Sequence, residues 1–184
     1  SGLGLIAPHF GDRKFAGIVL DDVSLINIGS AASGIDPNIF SESLYGIKSK
    51  NSSIKLLNNE FHDIWNNEST PTVGMCFYSE SDFDFSDRSI QIGNSFTNGL
   101  NAFYRSRSGL VGFGEMNYNI IKNDFGINNE DADRLRNHGI GISSNGNKEI
   151  IISSENTFRQ FNNGILISRP GGKGKILIEN NDFI

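Results

Sequence analysis

Cysteine is almost missing from this chain: Cys76 is the only one in 184 residues, so no internal disulfide framework can hold the fold. That scarcity does not fix a compartment, because many bacterial surface proteins also lack disulfides. Alanine (6) and leucine (12) are too few for a typical helical protein. No stretch approaches the roughly 18 apolar residues of a membrane-spanning helix. Positive charge is not in excess either. Sixteen Lys and Arg against 21 Asp and Glu leave a formal net charge of −5, which excludes a nucleic-acid binder held by a generally basic surface. Anionic polysaccharides are disfavoured unless a local basic groove exists. The opening residues, SGLGLIAPHF, lack an initiator Met, a basic segment and a long apolar run; residues 1–16 are expected to be a lead-in or cap following a processing boundary.

What is abundant is equally selective. The chain contains 24 Ile, 23 Asn and 21 Gly. Isoleucine favours strands, whereas Asn and Gly tolerate the left-handed backbone of tight corners. The length suits one domain with a substantial core, so the expectation is an all-β domain with many sharp corners.

Two phrases recur. A glycine followed by an apolar strand begins at Gly17, Gly46, Gly74, Gly99, Gly139 and Gly164. Asn-x-Phe occurs at Asn38/Phe40, Asn59/Phe61, Asn94/Phe96, Asn123/Phe125, Asn156/Phe158 and Asn181/Phe183. They alternate without exception, giving about six units over residues 17–184. A second short strand precedes most Asn-x-Phe copies, as at Ile54/Leu56, Tyr118/Ile120 and Ile176/Ile178. A unit this short cannot bury its core alone and must stack on its neighbours. Phe at one fixed position then forms an interior pile, and the adjacent Asn is expected at a left-handed corner with its amide bonded along the pile.

These phrases resemble those of right-handed parallel β-helix proteins, the pectate-lyase-like solenoids, from Gly17 to Ile184. The resemblance implies a parallel β-helix solenoid and an extracellular or bacterial cell-surface setting. It does not choose a function, since the family holds polysaccharide lyases, galacturonan hydrolases, alginate epimerases, phage tailspikes and non-catalytic surface proteins. Enzymes of this fold generally carry acids, or Arg/Lys with calcium-binding acids, on an outward strand face.

If each glycine strand alternates inward and outward, its outward row is Val19, Lys48, Cys76, Asn101, Gly141 and Leu166; the second strand gives Lys55, Gln91, Asn119, Ile151 and Leu177. Neither row contains an acid, and six coils at about 4.8 Å span only about 29 Å, short for a polymer cleft. The expected function is therefore a non-catalytic extracellular or cell-surface module, a structural spacer or glycan-contacting segment of a larger bacterial protein. The alternatives are a fragment of a lyase, hydrolase or epimerase acting on an acidic polysaccharide, and a tailspike-like segment. Expected partners are a polysaccharide and adjoining domains of the same longer protein.

Surplus residues form insertions beginning at Gly29, His62, Tyr78, Tyr104 and Ile127, and such loops are where solenoids bind. Tyr104 with Arg105 and Arg107 joins planar cationic donors to an aromatic, a pairing suited to a sugar carboxylate or sulfate, although ordinary loops also carry it. Trp65 is either a sugar-stacking platform or packing beneath its own loop. Asp82, Asp84 and Asp87, with Glu80, form the candidate calcium site; "DFDFSD" lacks the glycine and distal Glu of a calcium loop, so a solvated acidic loop is the alternative. His9, His62 and His138 are too scattered for a metal motif. Arg134 and Arg136 are interleaved with Asp131 and Asp133 and read as local ion pairs. No motif ties a base to Cys76, which reads as a small apolar filler. At the carboxyl end, Ile176, Ile178 and Phe183 are expected to face an open coil end, implying that the chain is a segment of a longer solenoid or that a partner covers this face.

Overall fold

The computed structural model describes residues 14–64, 75–82, 87–94, 101–104, 108–127, 138–144, 148–169 and 173–184. Among them there is no helix. The chain runs through β1 (Lys14–Asp21), β2 (Ile26–Ile28) and β3 (Asn38–Ser41), then β4 (Ser43–Lys50), β5 (Ile54–Leu56) and β6 (Asn59–His62). It continues with β7 (Met75–Ser81), β8 (Ser89–Gly93), β9 (Ala102–Tyr104), β10 (Ser108–Gly114), β11 (Asn117–Ile121) and β12 (Asp124–Ile127). The last six are β13 (His138–Ser143), β14 (Ile150–Ser153), β15 (Thr157–Phe158), β16 (Asn163–Ser168), β17 (Ile176–Ile178) and β18 (Asp182–Phe183). Every third strand joins the same sheet. Sheet 1 is β1-β4-β7-β10-β13-β16, sheet 2 is β2-β5-β8-β11-β14-β17 and sheet 3 is β3-β6-β9-β12-β15-β18, all paired in parallel. The molecule is a parallel β-solenoid.

The two repeated phrases fit one another sterically. Phe40, Phe61, Phe103, Phe125, Phe158 and Phe183 form one pile, with ring centroids 4.4 to 5.2 Å apart. Five of the six rings lie against the glycine of their own coil, and the coil of Phe103 has Cys76 at that place. A β-carbon at Gly17, Gly46, Gly109, Gly139 or Gly164 would come within 2.5 to 2.7 Å of Cδ1 of Phe40, Phe61, Phe125, Phe158 or Phe183 respectively. In those five coils the glycine is the vacancy that the phenylalanine fills, which is why the two phrases recur together there.

The asparagines form a second pile. Asn38 Nδ2 donates to Asn59 Oδ1, Asn59 to Asn101, Asn101 to Asn123, Asn123 to Asn156 and Asn156 to Asn181, at 2.9 to 3.0 Å. Interior members also satisfy corner carbonyls: Asn123 Nδ2 reaches Ile92 O and Ile121 O. These asparagines do not take the left-handed corner. That conformation falls on the residue before, at Asn58, Lys122, Glu155 and Asn180, with φ of 51 to 66°. A left-handed residue there turns the chain so that the following Asn points inward.

One Asn-x-Phe copy and two glycine copies are displaced from their expected places. The third Phe of the pile is Phe103, with Asn101, in place of Asn94/Phe96. The fourth glycine is Gly109 in place of Gly99, and β10 lies inside the stretch expected to be an insertion from Tyr104. Gly93, with φ of 77°, diverts the chain into the extra segment before Asn101, as Gly29 (φ 82°) does before Asn38. In the third coil Cys76 stands where the others have glycine, since β7 registers Met75 with both Tyr45 and Ser108.

Candidate functional site

Inward positions of the strands are consumed by packing, so the chemistry belongs to the outward rows. On sheet 1 the outward row is Val19, Lys48, Tyr78, Val111, Gly141 and Leu166. The expected Cys76 and Asn101 are both buried inside the solenoid. Two residues along, a second row contains Asp21, Lys50, Glu80, Phe113, Ser143 and Ser168. The first of these rows carries no acid, whereas Asp21 and Glu80 stand on the second, a row the sequence reading does not consider. On sheet 2 the row Lys55, Gln91, Asn119, Ile151 and Leu177 is as expected and carries no acid.

Sheet 1 gathers an aromatic group on its outer side. Tyr45 packs edge-on to Tyr78 at 5.8 Å, and Tyr78 packs at a tilt against Phe113, also at 5.8 Å. Lys48 Nζ lies 5.6 Å from the Tyr45 ring and 5.9 Å from the Tyr78 ring, within cation–π range. The Tyr78 hydroxyl donates to Glu80 Oε2 at 2.6 Å. Desolvation first, then this donated bond and the Glu80 charge, push the Tyr78 phenol above its ordinary range. Desolvation and Glu80 push Tyr45 up as well. Phe113 remains 44% exposed.

Of the acidic residues proposed to hold calcium, Asp82 and Asp87 are engaged by neighbouring side chains. Asp82 Oδ2 accepts from Asn51 Nδ2 at 3.0 Å and pairs with Lys50 Nζ at 3.3 Å. The Asn51 bond and then the Lys50 contact hold its carboxyl below the usual range. Asp87 pairs with Arg88 at 3.6 Å, and Arg88 also reaches Asp22 at 3.0 Å. Asp84 lies outside the described residues. Among the described residues no group of three or more His, Cys, Asp or Glu is placed to hold a metal ion.

Sheet 3 carries a smaller outward cluster. Tyr104 stacks face to face on His62, with centroids 4.2 Å apart and planes at 8°, and His62 Nε2 meets Glu60 Oε2 at 2.9 Å. One strand further on, Arg159 pairs with Asp124 at 3.2 Å. Tyr104 is thus built into an outward face, pinned by an imidazole. Its expected companions Arg105, Arg107 and Trp65 lie outside the described residues, as do His9, Arg134 and Arg136. The sequence marks Tyr104 as a binding residue, but gives His62 and Tyr78 only as first residues of insertions, with His62 one of three scattered histidines, and does not single out Tyr45 or Phe113. Tyr45, Tyr78 and Phe113 occupy three different register positions, opposite Met75, Lys48 and Glu80, so no repeated spacing marks them as a group. Comparison with protein-family models, with curated proteins and with solved structures returns no match to this chain.

Proposed function

We propose that this chain is a non-catalytic, carbohydrate-contacting module of the pectate-lyase-like β-helix kind, serving an extracellular or cell-surface bacterial protein. The observation that carries this reading is the outward group Tyr45, Tyr78 and Phe113 on sheet 1, flanked by Lys48 and Glu80. Pyranose rings present axial C–H groups to aromatic faces and hydroxyls to charged neighbours, and this surface offers both on strands that cannot shift independently.

Turnover is disfavoured by the state of the polar groups. Glycosidic hydrolysis uses two carboxyl groups on either side of the bond, whereas Glu80 is occupied by the Tyr78 hydroxyl. A lyase or epimerase needs a base with a pKa near the working pH, and Tyr78 is driven in the opposite direction. Binding measured on a glycan array and by calorimetry is expected without release of product. Phe113→Ala is expected to weaken that binding about tenfold, near 1.4 kcal/mol, with the melting temperature little changed. Liberation of unsaturated or reducing sugars from an acidic polysaccharide would establish the enzymatic alternative instead, and absence of any binding would leave a spacer role.

A further inference from the structure

We propose, building on the carbohydrate-contacting role given to sheet 1, that the ligand there is a single neutral glycan chain. It lies obliquely across three coils and sets three consecutive sugar units on Tyr45, Tyr78 and Phe113. The three rings stand on β4, β7 and β10, consecutive strands of sheet 1. They share neither a strand nor a register position, because Tyr45 pairs with Met75, Tyr78 with Lys48 and Val111, and Phe113 with Glu80. A chain laid along one strand, or straight up the axis, would meet one ring of the three. An oblique chain meets all of them in two steps of 5.8 Å, each close to the length of one pyranose unit in an extended glycan. Three units therefore fill the platform.

The ring planes select the form of the chain. Tyr45 and Tyr78 are inclined at 65°, and Tyr78 and Phe113 at 48°. The flat face of a crystalline polymer matches coplanar rings, whereas this surface turns from one ring to the next. It suits a solvated chain whose successive sugars are rotated about its axis. Charge decides against an acidic ligand. Beside the rings, Lys48 and Lys50 are outnumbered by Asp21, Glu80 and Asp82. Lys50 already meets Asp82 at 3.3 Å, and Lys48 lies over the Tyr45 and Tyr78 rings. Glu80 holds its carboxylate at the Tyr78 hydroxyl, in the middle of the platform. A uronate or sulfate placed there would meet like charge, which costs affinity. Sugar hydroxyls can instead donate to Glu80 and accept from Lys48.

The test is calorimetric titration of the 184-residue chain with oligosaccharides of glucose, mannose and galactose, from disaccharide to hexasaccharide. Each is used as the neutral chain and with its C6 alcohols oxidised to carboxylates. At least one neutral series is expected to bind, gaining about tenfold from two units to three and less than about twofold beyond. Its oxidised counterpart is expected to bind at least about tenfold more weakly. Phe113→Ala should erase the gain from the third unit. Glu80→Gln should narrow the gap between neutral and oxidised chains at least about threefold, with circular dichroism confirming the fold of both variants. An oxidised chain that binds as tightly as its neutral parent, affinity that keeps climbing past three units, or stronger binding to microcrystalline cellulose than to any soluble oligosaccharide would each overturn this ligand and leave the carbohydrate-contacting role standing. Binding to neither the oligosaccharides nor cellulose would overturn both.

Discussion

Gly46 and Phe61 share one space: the β-carbon that Gly46 lacks would stand 2.5 Å from Cδ1 of Phe61 and 2.5 Å from the backbone oxygen of Cys76. The oxygen belongs to the next coil, so a side chain at Gly46 must push apart two layers whose spacing the parallel ladder fixes. Gly46→Ala is expected to cost about 1–3 kcal/mol as an overpacked core, read as a lower denaturation midpoint with an unchanged slope. A neutral result would mean that the Phe pile is looser than its geometry implies.

The asparagine row carries a larger penalty. Asn123→Leu removes an acceptor from Asn101 and a donor from Asn156, Ile92 and Ile121. Each buried group left unpaired costs about 1–3 kcal/mol, so the variant is expected to lose more stability than Gly46→Ala or to fail to fold. Asn123→Asp keeps the shape but sets a carboxylate against carbonyl oxygens. Its folded-state pKa then lies above the unfolded value, so this variant should be most stable in acid and weaken as pH rises through the carboxylate range. Equal stability at pH 4 and pH 8 would contradict the assigned donor direction.

Alkaline titration tests the tyrosines. All four, Tyr45, Tyr78, Tyr104 and Tyr118, have their phenols raised, chiefly by desolvation, and Tyr118 is fully buried against Ser79. A phenol raised on folding contributes stability that is intact below the unfolded pKa of about 10 and is lost as pH climbs above it. Absorbance of ionised tyrosine should therefore lag in the native chain and rise together with loss of β signal. A normal titration with the fold intact would refute the burial of Tyr118.

Cys76 is wholly buried at the glycine position of its coil. A thiol-reactive dye should label it only after denaturation, since reaction requires an accessible thiolate. Rapid labelling of the native protein would show that the third coil opens.

Fold class was legible from Asn-x-Phe and the glycine strands because both answer to one steric fact, ring against vacancy. Their register in the third and fourth coils was not. Asn94/Phe96 satisfies the phrase as well as Asn101/Phe103, and only stacking on Phe61 and Phe125 separates them. Cys76 in place of glycine shifted the outward reading by two residues, which hid Tyr78 and Glu80. Local patterns fix what a coil looks like, whereas coil-to-coil stacking decides which of two equal candidates takes part. The outward aromatic group depends on that second choice, so it could not be found from spacing alone.

Each side-chain amide of the row from Asn38 to Asn156 donates forward to the Oδ1 of the next coil's asparagine. Their dipoles add along the axis, and each bond polarises the next. Sheets contribute little net moment of their own, so this row gives the solenoid an electrical polarity. At the far end Asn181 Nδ2 donates to Ile152 O and Glu179 O, so the last amide of the row is tied to the backbone of the preceding coil and of its own. The row thus gives the solenoid a direction along its axis that its sheets alone do not.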